Sequence, residues 1–176
     1  MRWTIKPKPD PIKVARLSQE LAVDSTTSFL LAQRGIETFE EAKNFFRPDL
    51  HDLHDPFLMK DMEKAVARIE EAVENQENIL VYGDYDVDGT TSVALMSSYL
   101  LSFYLNVATY IPDRYDEGYG ISYKGIDFAE DNNFSLIIAL DCGIKAIDKV
   151  AYATKKGVDF IICDHHRPGA EIPKAK

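Results

Sequence analysis

Three short stretches of this chain carry side chains that could do chemistry together. Residues 83–89 read GDYDVDG, placing Asp84, Asp86 and Asp88 at alternate positions before Gly89. Residues 139–144 read ALDCGI and contain Asp141. Residues 163–166 read CDHH and contain Asp164, His165 and His166. A fourth stretch, PDRYDEGYGIS at 112–122, adds Arg114 and the glycines Gly118 and Gly120. Carboxylates crowded into so few residues repel one another, and a bound cation offsets that repulsion.

The first stretch alone admits three chemistries. Asp84, Asp86, Asp88 and Gly89 fit the first half of a calcium loop, but the closing bidentate Glu would fall on Leu95. An apolar run followed by Asp86-Val87-Asp88-Gly89-Thr90 resembles the nucleophile motif of haloacid-dehalogenase-type phosphatases. That family also needs a lysine and a later acidic pair, whereas the later stretches supply Asp-Cys-Gly and Asp-His-His. The third chemistry is a two-metal site. Carboxylate oxygens mixed with imidazole nitrogen suit Mn²⁺ or a related transition ion better than Ca²⁺. A pair of ions about 3.5–4 Å apart can activate water and stabilise a leaving oxygen. A metal-binding module without catalysis uses the same ligands.

Such residues need a scaffold that brings them together. ILVYG (79–83), NVATYIP (106–112), FSLIIALD (134–141) and VDFIICD (158–164) read as short buried strands. Helical patterns fill the gaps at 90–105, 123–132 and 144–156. Strands alternating with helices of this length imply βαβ units around a parallel sheet. Ligands of such sheets gather at the carboxyl ends of the strands. Three of the four strands end there in a polar cluster, and chance would rarely arrange that.

Residues 1–76 show no strand pattern. Helices are expected over PIKVARLSQELAV, over DSTTSFLLAQRGI behind Asp24, and over TFEEAKNFFRP behind the capping box Thr38-x-x-Glu41. DMEKAVARIEEAVEN carries Met62, Ala65, Val66, Ile69 and Val73 on one stripe. The expected organisation is α/β: a helical N-terminal segment at 1–76 and a parallel sheet with helices on both faces at 77–176.

Composition bounds the partners. The net charge is −9, and 45% of the residues are hydrophobic. That allows a core and argues against a broad basic surface for nucleic acid, but not against an enzyme whose metals bridge to phosphate. No apolar run approaches the roughly 18 residues of a membrane span, so a cytoplasmic protein is expected. Cys142 and Cys163 are too few for a disulfide scaffold and read as packing residues. His51 and His54 in DLHDLHDP read as a solvated linker. The plain alternatives are a turn for the triple aspartate, a helix cap for Asp141, and a loop ion pair for Arg114.

In their order and at consecutive strand ends, GDYDVDG, ALDCGI and CDHH resemble the DHH phosphoesterase superfamily. PDRYDEGYGIS narrows the resemblance to its RecJ branch, single-strand-specific 5′→3′ DNA exonucleases. The resemblance implies Asp86, Asp88, Asp141 and His165 as metal ligands, with Asp141 bridging, for two Mn²⁺ or Mg²⁺ ions. It implies His166 at the scissile phosphate, and Arg114, Gly118 and Gly120 along the DNA backbone. Asp84 and Asp164 would orient the ligands. Tyr82 stands where pyrophosphatase relatives carry a metal-binding His, which argues against that activity. The partners implied are single-stranded DNA and a single-strand-binding protein or helicase, in repair and recombination. A further metal-binding Asp, a second catalytic domain and a DNA-binding domain are expected outside these 176 residues, which would weaken metal affinity here.

Overall fold

The computed structural model describes residues 2–176. Contacts divide the chain into two compact units, Met1–Pro56 and Phe57–Lys176.

The first unit is helical. α1 (Pro11–Leu21) begins on Asp10, whose carboxylate accepts the Ile12 N–H at 2.8 Å, with proline at the first helical position. α2 (Ser25–Gln33) is capped by Asp24, and α3 (Phe39–Phe46) by the reciprocal Thr38–Glu41 box. Leu17, Leu31, Ala32 and Ala42 are its buried apolar residues.

The second unit contains α4 (Met62–Glu74), β1 (Asn78–Gly83), α5 (Val87–Leu101), β2 (Val107–Tyr110), α6 (Tyr123–Asp131), β3 (Phe134–Leu140), α7 (Ile147–Lys155) and β4 (Asp159–Cys163). The four strands run parallel in the order β2-β1-β3-β4. Both faces are covered. Ile126, Ala129, Val150 and Ala153 of α6 and α7 pack on Leu80, Tyr82, Ile137, Ala139 and Phe160. On the other face, Ala72 of α4 and Val93 and Leu100 of α5 meet Ile79, Val81, Leu136, Ile138 and Ile161. The near-continuous burial of β1 and β3 is what two covered faces require.

Two boundaries differ from the sequence pattern. The compact units separate after Pro56 rather than after residue 76. The reason is α4: Ala65, Ile69, Ala72 and Val73 pack with the sheet's core, and Arg68 pairs with Asp159 at the start of β4. α5 also starts at Val87 rather than Thr90, because the Asp86 carboxylate accepts the Gly89 N–H at 3.0 Å and nucleates the first turn there. The triple aspartate is therefore not a plain turn. Asp84 follows the last residue of the strand, Asp86 caps the helix and Asp88 lies in its first turn.

Candidate metal centre

Strand register builds the site. Gly83 of β1 pairs with Leu140 of β3, and Leu140 pairs with Cys163 of β4. One residue further along each strand stand Asp84, Asp141 and Asp164, so parallel pairing sets three aspartates in a row at the carboxyl edge. The chain leaves β1 toward β2 on one side and reaches β3 on the other. Asp84 and Asp141 thus flank the switch point where open α/β sheets form their crevice.

The three carboxylates have different surroundings. Asp84 is fully buried. Its Oδ1 accepts the Tyr85 N–H at 2.8 Å, and its Oδ2 has no hydrogen-bond partner among the described residues. Asp164 is saturated: Oδ2 accepts the Ile144 N–H at 2.9 Å, and Oδ1 accepts both the His166 N–H at 2.9 Å and His166 Nδ1 at 2.7 Å. Burial raises the Asp164 carboxyl, but the bonds from His166 and Ile144 outweigh it and hold the group below the ordinary aspartate range. Asp141 shifts the other way. Burial, then the charge of Asp86, push its carboxyl up, against the opposing pull of His165 and His166. Asp141 also sits at φ +58°. A non-glycine residue held there costs on the order of 1 kcal/mol, and such strain gathers at functional sites.

The histidines complete the cluster. His165 Nε2 lies 3.0 Å from Asp141 Oδ1. Asp141, His165 and His166 offer donor atoms that all fall within 4.8 Å of one another. Asp86 and Asp88, expected beside Asp141 and His165, stand outside that group. Both are exposed at the start of α5, yet their charges act on Asp141 from the same crevice. Gly89 lets α5 come this close: a Cβ there would meet the Asp84 carbonyl oxygen at 2.4 Å. The positive end of the α5 dipole accordingly abuts the carboxylate row. A groove of about 620 Å³ runs from Asp141 and His165 past Cys163 and Ile161 to Met59 and Pro173. Cys163 is exposed there, where a packing role was expected, while Cys142 is buried as expected. Tyr82 faces the α6–α7 side of the sheet and bonds Gly120 and Ser122, away from the carboxylate row.

The β2–α6 loop approaches from the side. Arg114 lies over the Tyr85 ring, 5.3 Å from its centroid. Gly118 and Gly120 take left-handed φ values of +82° and +76°, which suit glycine whatever the space around them. Tyr119, which the sequence motifs do not single out, places its hydroxyl 3.3 Å from His166 Nε2. Burial and the carboxylates of Asp84, Asp86 and Asp141 push that phenol up to about 12. His166 donates Nδ1–H to Asp164, and that bond raises its basicity. Nε2 is thereby turned to the crevice.

The sequence profile of the DHH family's N-terminal domain matches residues 78–176, more than half of the chain. The chain belongs to the DHH family. Among DHH relatives, it is 42% identical over all 176 residues to the single-stranded-DNA-specific exonuclease RecJ of Bacillus subtilis. It is 33% identical over 149 residues, 84% of the chain, to the corresponding RecJ of Escherichia coli. It spans 22% of the former's length and 25% of the latter's. Two solved structures share the fold. An exonuclease RecJ bound to manganese matches with a TM-score of 0.62 at 33% identity, over 66% of this chain and 30% of that one. RecJ of Thermus thermophilus in complex with Mn²⁺ matches with a TM-score of 0.70 at 25% identity, over 96% of this chain and 23% of that one. Among the described residues no helix is long and apolar enough to cross a membrane.

Proposed function

We propose that this chain supplies a metal-binding part of a phosphodiesterase that degrades single-stranded DNA from its 5′ end. The observation that carries this reading is the aligned row Asp84–Asp141–Asp164 with His165 and His166 at one switch point. The similarity to RecJ over the whole chain supports it.

The residues fit a divalent ion. Asp141, His165 and His166 mix oxygen and nitrogen donors, and a buried carboxylate oxygen of Asp84 has no hydrogen-bond partner among the described residues. Asp86, Asp88, Asp141 and His165 would hold Mn²⁺ or Mg²⁺. When bound, such ions supply a water nucleophile at neutral pH and charge stabilisation at the leaving oxygen. The chain's own groups do the rest. Asp164 fixes the ring of His166 through Nδ1, so that Nε2 can meet a phosphate oxygen of the scissile group. Asp84 and Asp164 hold the strand ends in place. Arg114 can grip a backbone phosphate, and the glycines Gly118 and Gly120 leave room for the strand beside it. Such an enzyme works in the cytoplasm, where a helicase or a single-strand-binding protein would supply its strands.

The test is release of mononucleotides from 5′-labelled single-stranded oligonucleotides, with Mn²⁺ binding followed by calorimetry. Mn²⁺-stimulated release, lost together with metal binding in Asp141→Ala, is the expected result. Hydrolysis of p-nitrophenyl phosphate with Mg²⁺ alone, requiring Asp86 but not His165, would replace this reading with a small-molecule phosphatase. Tight Mn²⁺ binding with no hydrolysis would reduce it to a metal-binding module.

A further inference from the structure

Glu117 takes no part in the carboxylate row, yet it is half-buried and more fully bonded than any acid there except Asp164. Its Oε1 accepts the Asp113 N–H at 2.8 Å. Its Oε2 accepts the hydroxyl of Tyr110, on β2, at 2.8 Å and also the hydroxyl of Ser122. Burial raises its carboxyl, and these three donors together pull it below the ordinary glutamate range.

The partners of Glu117 are themselves fixed points. Ser122 caps α6 by accepting the Gly125 N–H at 2.8 Å. The Ser122 N–H donates to the buried Tyr82 hydroxyl at 3.1 Å, and that hydroxyl donates to the Gly120 carbonyl at 2.9 Å. Tyr82 and Tyr110 stack with centroids 5.3 Å apart, joining β1 to β2 under the loop. At the other end, Asp113 folds the turn by accepting the N–H groups of Tyr115 and Asp116 and by receiving Glu117 N–H on its carbonyl. Glu117 therefore ties the start of the loop (Asp113), its end (Ser122) and the sheet (Tyr110) to one carboxylate. Arg114 and Tyr119 lie between those ties. Tyr119 contacts His166 across the crevice and stacks edge-on against Tyr85, over which Arg114 rests.

We propose that Glu117 is a positioning residue for the metal centre: its carboxylate clamps the β2–α6 loop so that Tyr119 and Arg114 face His166 and the incoming phosphate. The part played by Arg114 rests on the phosphodiesterase reading; the part played by Tyr119 does not. A carboxylate is required because three donors converge on two acceptor oxygens. Glutamine of the same size would turn an N–H₂ group toward at least one of them.

The test compares Glu117→Gln with wild type in the full 176-residue chain. The Tyr119–His166 ring contact is read as a nuclear Overhauser effect. Affinity for a 5′-phosphorylated single-stranded oligonucleotide is read by fluorescence anisotropy, and Mn²⁺ affinity by calorimetry. Loss of one charge-assisted bond at the clamp should weaken oligonucleotide binding about tenfold and abolish the ring contact, with Mn²⁺ affinity unchanged. Tyr110→Phe, which removes a single donor, should give a smaller effect of the same kind, and it carries the test if Glu117→Gln does not fold. A Glu117→Gln chain that only melts earlier, keeping ring contact and affinity, would overturn the proposal. A wild-type chain that binds no oligonucleotide would count against the nuclease reading, and the ring contact alone would then decide on Glu117.

Discussion

Both ends of the sheet gather acids, and they compensate them differently. At the amino end, Glu77 precedes β1 and Asp159 opens β4, and buried Arg68 reaches both. Its Nη2 donates to Glu77 at 2.7 Å and its Nε to Asp159 at 2.9 Å. Ser135 adds a hydroxyl to Glu77. Burial raises the Glu77 carboxyl, and Arg68 more than offsets this and lowers it. At the carboxyl end, Asp84, Asp86, Asp88, Asp141 and Asp164 face two exposed histidines and, among the described residues, no lysine or arginine at ion-pair distance. Asp141 is pushed up, and an oxygen of Asp84 is unpartnered. The amino end is closed by its own cation and holds the fold. The carboxyl end keeps an excess of negative charge that the chain does not neutralise, which is the condition for taking a cation from outside.

Removing the cation at the closed end should have the largest effect. Arg68→Ala leaves two carboxylates without their partner. We expect a loss of about 3 kcal/mol in urea unfolding, the low end for a broken buried pair because Glu77 and Asp159 keep some solvent. An unchanged midpoint would erase the contrast.

Supplying a cation at the open end comes next. Mn²⁺ at a hundred times its dissociation constant should stabilise the chain by about 2.7 kcal/mol. Asp141→Asn should lose that gain, while its metal-free stability stays at or above wild type because a disfavoured charge has gone. A metal-free Asp141→Asn chain markedly weaker than wild type would make Asp141 a structural acid like Glu77.

The two ends should also differ in sign with pH. Glu77 has a folded value below its unfolded one, so its contribution is present above the unfolded value and lost as pH falls through the folded one. Asp141 has a folded value above its unfolded one. Between those values the folded state binds the extra proton, so stability rises as pH falls through the folded value. His166, raised by Asp164, acts in the same direction, its contribution being lost as pH rises through its folded value. Mild acidification should therefore first stabilise the metal-free chain and then destabilise it. Subtracting the Asp141→Asn profile isolates the part due to Asp141, and saturating Mn²⁺ should remove it. A metal-free profile that falls from the start would contradict this order.

The smallest effect sharpens the closed end. Lys176 also approaches Asp159, at 3.4 Å, but its side chain is largely exposed. Lys176→Ala should change stability by no more than about 1 kcal/mol. A loss comparable to that of Arg68→Ala would mean that charge count, rather than burial, governs this end.

Much of this was legible beforehand. The caps Asp24 and Thr38–Glu41, the four apolar strands and the polar ends of three of them follow from local patterns that the structure repeats. The start of α5 was not legible, because it depends on which of the three aspartates turns its carboxylate back to cap the helix. Tyr119 could not be singled out, because its partner His166 is distant in sequence, and Glu117 could not, because the fold of the loop decides which nearby donors converge on its carboxylate. The pairing of α4 with the sheet was hidden for the same reason. An amphipathic stripe shows that a face will be buried, not against what.

The sequence by itself determined which side chains were available at each strand end and that strands would alternate with helices, since apolar periodicity and capping act over a few residues. Only the tertiary structure decided that Asp84, Asp141 and Asp164 share one row. It also decided that Asp84 is buried while Asp86 and Asp88 are exposed, and that β2 sits outside β1 so its loop returns to the crevice through Tyr82 and Glu117. Strand order and register arise from many simultaneous pairings between distant segments, and a shift of one residue would turn each of these carboxylates to the other face.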